Sequence, residues 1–144
     1  MTDNAIEIDN AMKIYVTRLS AAITFAPLLV GLALTGLAPS AQAADPAAGK
    51  SVFTSVCSIC HAAQPGKNGV GPSLFGVVGR KTGAESGFHY SAANQGANLT
   101  WDEATLDKYL QAPRATIPGT TMTYGGLKDD TKRANLIAYL ATLK

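Results

Sequence analysis

The sequence predicts an all-α domain, with three or more helices separated by long loops wrapped around a bound group. Three observations predict it. Helix-start signals stand ahead of apolar residues at helical spacing, and no segment alternates convincingly like a half-buried strand. The glycine- and proline-rich stretches between the helices are longer than ordinary connections, which is unusual in a small domain unless the loops enclose something.

Each element follows from local chemistry. Asp45-Pro46 is a helix start, an N-cap acid with proline in the first turn. Ala48, Val52, Phe53, Val56 and Ile59 follow at helical spacing. Gly49 sits inside that helix at a cost of ~1 kcal/mol relative to alanine, which points to close packing. From Gln64 to Gly87 nine glycines and prolines leave no period, and the segment reads as loop. Thr100-Trp101-Asp102-Glu103 has the form of a capping box and predicts a helix from Trp101 to about Gln111, ended by Pro113. Thr116–Gly126 reads as loop again. Asp129 or Asp130 then caps a last helix whose stripe is Arg133, Leu136, Ile137, Leu140 and Leu143.

The chain is 47% hydrophobic and 15% charged, and the apolar excess is local. No charge lies between Leu19 and Ala44. Lys13 and Arg18 precede this run, and Ala41-Gln42-Ala43 closes it. A positive region, an apolar region and small residues three apart make the pattern of a secretory signal peptide. This predicts residues 1–43 as an N-terminal extension and signal, and a domain at 44–144. Met12-Lys13 is the better translation start, because Asp3, Glu7 and Asp9 do not suit the basic region. The rival reading is an uncleaved membrane anchor over residues 19–38, since the run is nearly long enough to span. Cleavage after Ala43 would leave 101 residues with a formal charge of +3, too little for a nucleic-acid footprint. A domain of that size has a modest core, which a bound cofactor would stabilise.

Cys57 and Cys60 are the only cysteines, and with His61 they form C-x-x-C-H, the sequence of c-type haem attachment. The spacing lets two thiols form thioethers with the vinyl groups of one porphyrin while the next residue offers an imidazole to the iron. A thioredoxin-like pair needs a βαβ setting that is absent, and zinc needs more ligands than His61 and the distant His89 provide. A local disulfide leaves His61 unexplained. Met122 is the one methionine beyond the signal segment, in a polar, glycine-rich loop that makes a poor core. This favours it as a second axial ligand, with His89 as its competitor.

Further motifs stand in order along the chain. They are Gly49-x-x-x-Phe53, Gly71-Pro72-x-Leu74, Gly79-Arg80-Lys81-Thr82-Gly83, Tyr90-Ser91-x-Ala93-Asn94 and Trp101. After these come Tyr109-Leu110-x-x-Pro113, Ile117-Pro118-Gly119-Thr120-x-Met122 and Leu136-Ile137-Ala138-Tyr139-Leu140. With these motifs, residues 45–144 closely resemble the small class I cytochromes c of the mitochondrial and α-proteobacterial soluble type. The resemblance implies the cytochrome c fold around one haem c, held through Cys57 and Cys60 with His61 and Met122 as axial ligands. It implies that the Pro72 carbonyl accepts the proton on the far nitrogen of His61. It gives Arg80, Tyr90 and Trp101 to the haem propionates, and places Tyr109, Asn94 and Thr120 on the Met122 side. It also implies that Gly49 and Phe53 cross the last helix at Leu136 and Tyr139.

The function implied is single-electron transfer rather than catalysis. The expected donor is a quinol:cytochrome c oxidoreductase or a periplasmic dehydrogenase. The expected acceptor is a terminal oxidase or another redox complex, and the carrier is expected to be a periplasmic monomer. A membrane-tethered carrier and a haem peroxidase or gas-binding protein are the alternatives; the last two need an open sixth site, which Met122 opposes. The chain departs from its relatives in having few lysines where many carry a ring of them. Ser51, Val56, Ala115 and Thr121 occupy such positions, so electrostatic steering of partners is expected to be weak. Residues 114–127 contain no lysine, so displacement of Met122 by lysine at high pH is expected to be difficult; Lys128 is the nearest downstream.

Overall fold

A computed structural model describes residues 43–144. The expected signal peptide, the start at Met12 and the rival anchor over 19–38 lie outside the described residues. Among the described residues there are five α-helices and one π-helical turn, with no strand beyond an isolated antiparallel bridge between Lys81 and Thr100. No helix among them is long and apolar enough to cross a membrane.

Helix α1 is Pro46–Val52. The Asp45 carboxylate accepts the Ala47 N–H at 2.8 Å, and Pro46 occupies the first turn, where its missing N–H costs nothing. The chain continues as a π-helical turn, Phe53–Cys57, in which the Ser58 N–H reaches back five residues to the Phe53 carbonyl at 2.9 Å. The regular spacing read along this segment therefore stops short of Ile59, which lies in a turn and is 77% exposed. Helix α2, Ala92–Gly96, was not expected. Its Ser91 cap accepts the Asn94 N–H at 3.2 Å, and five residues are too few to show a period.

Helix α3, Glu103–Gln111, begins two residues later than the capping box suggested. Thr100 pairs with Lys81, the Trp101 N–H donates to the Arg80 carbonyl at 2.8 Å, and the Trp101 carbonyl accepts from Gly79 at 3.0 Å. These bonds hold Trp101 out of the helix. Asp102 caps instead, accepting the Thr105 N–H at 2.7 Å. Pro113 ends α3 as expected, and the same proline starts a further short helix, α4, Pro113–Thr116. Helix α5, Asp130–Thr142, is capped by Asp129, which accepts the Lys132 N–H at 2.9 Å.

The first and last helices cross. A side chain at Gly49 would overlap the Asn135 carbonyl and approach Tyr139 Cβ to 2.9 Å, so only glycine permits this approach of the two backbones. Phe53 and Tyr139 pack with ring centroids 5.4 Å apart and the planes tilted by 53°. Tyr139 is one of the two contacts the resemblance implied, with Leu136; the Asn135 backbone joins it at Gly49. Arg133, Leu136, Ile137 and Leu140 are buried along α5, and Leu143 is half-buried at its end. The π-helical turn, α3 and α5 thereby frame a space that the loops 61–90 and 117–127 close over.

Candidate functional site

The eleven residues expected at the site all line one cavity of about 360 Å³. They arrive from separate segments: Cys57 at the end of the π-helical turn and Cys60 just after it, His61 and Pro72 on one loop, Arg80 and Tyr90 further along it. Asn94 comes from α2, Trp101 and Tyr109 from α3 and its approach, and Thr120 and Met122 from the loop after α4. His89 is exposed on the surface and does not line the cavity.

His61 is placed by short-range bonds. Its own N–H and that of Cys60 fold back onto the Cys57 carbonyl at 2.9 and 3.1 Å, and the Gly71 N–H reaches the Cys60 carbonyl at 2.8 Å. A side chain at Gly71 would overlap the imidazole, so the loop lies flat against the ring. Nδ1 stands 2.7 Å from the Pro72 carbonyl oxygen. A carbonyl only accepts, so Nδ1 carries the proton. Burial lowers the pKa of His61, against the opposing pull of the Pro72 bond. The neutral ring then keeps a lone pair on Nε2, the form that ligates metal. Burial, and then neighbouring Cys60, push the Cys57 thiol up to about 11, which keeps it from being a thiolate at neutral pH.

Met122 is placed by one hydroxyl from α3 and one from its own loop. The Tyr109 hydroxyl lies 3.4 Å from Met122 Sδ and 3.2 Å from Thr120 Oγ1. Thr120 Oγ1 also accepts the Met122 N–H at 3.3 Å. The proton count closes in one way: Thr120 donates to Tyr109, and Tyr109 donates to the sulfur. Trp101 backs this arrangement, its ring 4.7 Å from that of Tyr109.

The polar end of the cavity centres on Arg80. Its Nη2 donates to the Ser73 carbonyl at 2.7 Å, and Nη1 donates to the Phe75 carbonyl at 3.2 Å and pairs with Glu85. The Tyr90 hydroxyl accepts the Glu85 N–H at 3.4 Å, and burial raises its pKa. Arg80 Nε is buried with no partner. An unpaired guanidinium donor is costly unless an anion meets it. A haem suits these residues: thiols and a neutral imidazole at one wall, a thioether at another, and an orphaned donor for a carboxylate. Val77, Leu106, Leu110 and Leu140 supply the apolar lining. Sequence reasoning did not assign these four to the site: Val77 lies in a loop without a period, and Leu106, Leu110 and Leu140 show the same helical period whether they face a cofactor or a core. It also missed Glu85, for which no local signal exists.

The family model for cytochrome c matches residues 46–144. The chain belongs to the cytochrome c family. It is 51% identical over 115 residues to a cytochrome c2 of Rhodomicrobium vannielii, covering 79% of this chain and 91% of that one. It is 49% identical over 105 residues to a cytochrome c2 of Rhodopila globiformis, covering 73% and 99%. The solved structure of cytochrome cH from Methylobacterium extorquens is similar, with a TM-score of 0.64 and 44% identity, over 68% of this chain and 98% of that one. The fold is that of the family, and membership makes the chain an electron-transfer protein with one covalently bound haem c rather than an enzyme.

Proposed function

We propose that this chain is a one-electron carrier whose haem is held by Cys57 and Cys60, with His61 Nε2 and Met122 Sδ as axial ligands. The observation that carries the reading is the convergence of a neutral, Pro72-anchored imidazole and a Tyr109-anchored thioether on one cavity. When bound, the haem supplies a reversible ferric–ferrous couple. The protein's part is to hold both ligands in place, so that little rearranges between oxidation states, and to keep water away. Apolar walls and a thioether ligand favour the ferrous state and raise the potential. Arg80, Tyr90 and Trp101 serve the propionates, with Arg80 Nε as the free donor.

The carrier works in the periplasm after removal of residues 1–43. It takes electrons from a quinol:cytochrome c oxidoreductase or a periplasmic dehydrogenase, and passes them to a terminal oxidase or another redox complex. The cavity rim offers Val56, Ile59, Val70 and Thr121, none of them charged, which supports docking with little electrostatic steering. The test is an optical redox titration of the exported protein. A single one-electron wave is expected, with a low-spin spectrum, a methionine–iron charge-transfer band and no response to carbon monoxide. A high-spin spectrum that responds to carbon monoxide would sink the ligation.

A further inference from the structure

Arg133 is the only charged side chain buried among the described residues, 4% exposed on the apolar stripe of α5. Burying a charge is costly unless it is paired and its donors are satisfied. Its donors go to three segments. Nε donates to Asp107 of α3 at 2.6 Å, Nη2 to Asp130 at the start of α5 at 2.8 Å, and Nη1 to the carbonyl of Leu127 at 2.9 Å.

Leu127 closes the loop that carries Met122. Its N–H donates to the Leu110 carbonyl at 2.8 Å, so both of its backbone polar groups are tied to helices. Upstream the loop is also tied, by Ile117 N–H to Pro113 and Thr120 N–H to Ile117, at 2.9 and 3.1 Å. Between Met122 and Leu127, residues 123–126 make no backbone–backbone hydrogen bond among the described residues. The path of this run depends on its two ends, and Arg133 holds one of them.

We infer that Arg133 is a positioning residue for Met122. By clamping Leu127 to α3 and α5, it keeps the thioether in the cavity and limits how often the loop opens. The inference rests on the ligation of Met122 proposed above. The guanidinium is buried, Asp107 is half-exposed and Asp130 is exposed, so the bonds to Asp107 and to the Leu127 carbonyl carry most of the clamp.

The test is imidazole binding to the ferric holo-protein, followed by loss of the methionine–iron band. Imidazole enters only when Met122 leaves, so its apparent affinity reports the open fraction. Arg133→Met is expected to bind imidazole roughly tenfold tighter than the unsubstituted protein. Ile137→Val, a packing change on the same buried face that leaves every bond of the clamp in place, is expected to lower thermal stability and leave imidazole affinity unchanged within about twofold. Asp107→Asn, at a half-exposed partner, folds more readily than a change at Arg133 itself; it is expected to tighten imidazole binding by roughly threefold. Unchanged affinity in both Arg133→Met and Asp107→Asn would overturn the clamp, as would Asp107→Asn alone if Arg133→Met failed to fold. An equal gain in Ile137→Val would reduce Arg133 to a general stabiliser and also overturn it. A missing methionine–iron band in the unsubstituted protein would instead overturn the ligation of Met122.

Discussion

The two walls of the cavity are built differently. The His61 wall is local: the bonds that orient the imidazole come from Cys57, Cys60, Gly71 and Pro72, all within fifteen residues. The Met122 wall is assembled from several separate elements. Tyr109 reaches the sulfur from α3, Leu110 and Arg133 tie the end of the loop, and residues 123–126 have no backbone ladder of their own. A short closed loop loses little chain entropy when it forms, and its geometry survives small shifts elsewhere. A ligand held by several separate elements is exposed to a change in any of them. Opening of the site is therefore expected to begin at Met122, with His61 staying in place.

The largest effects should divide the two walls. His61→Ala is expected to abolish accumulation of folded holo-protein, since the attachment motif is broken and the small core loses its cofactor. Met122→Ala is expected to keep the covalent haem and the fold, lose the methionine–iron band, lower the potential and gain carbon monoxide binding. Haem-stained denaturing gels and difference spectra would show this split; equal loss of haem in both would erase the distinction.

A smaller effect probes the packing of the His61 wall. Gly71→Ala introduces a methyl group that overlaps the imidazole, and overpacking of this kind costs about 1–3 kcal/mol. For a domain near 100 residues each kcal/mol shifts Tm by roughly 4–8 °C. A thermal melt should register the loss, and an unchanged Tm would mean that the loop does not lie against the ring.

The smallest effect concerns α3, which carries Tyr109 and Leu110 toward the Met122 wall. The Thr105 backbone N–H, bonded to the Asp102 carboxylate, lowers the pKa of this cap. A lowered pKa means stability present above the ordinary carboxylate range and lost as pH falls through the folded value. Asp102→Asn keeps a capping oxygen and removes that titration. Urea unfolding at neutral pH should favour the unsubstituted protein slightly, and the difference should shrink below about pH 4.

These contrasts explain what could be read from the sequence. The His61 wall was legible because its chemistry is written in adjacent residues: C-x-x-C-H names the attachment, and the Asp45 cap marks the helix that leads into it. Around Met122 the loop was visible, and so was its methionine, but its restraints were not. Arg133 reads from spacing alone as one member of an apolar stripe, and only the fold brings it to Leu127 and Asp107. Trp101 misled the helix boundary because its partners in the 79–81 loop outweigh the local capping pattern. Helices α2 and α4 are too short for any periodic signal. Nothing in their spacing distinguishes the cavity-facing leucines, Leu106 and Leu110, from ordinary core residues.

The contrast between the walls is tested most directly by urea unfolding of the ferric holo-protein, followed at once by the methionine–iron band and by far-ultraviolet circular dichroism. The account predicts that the band disappears at a lower urea concentration than the helical signal, with the covalent haem still carrying a nitrogen ligand from His61. Superimposable transitions, or a band that outlasts the helices, would contradict it.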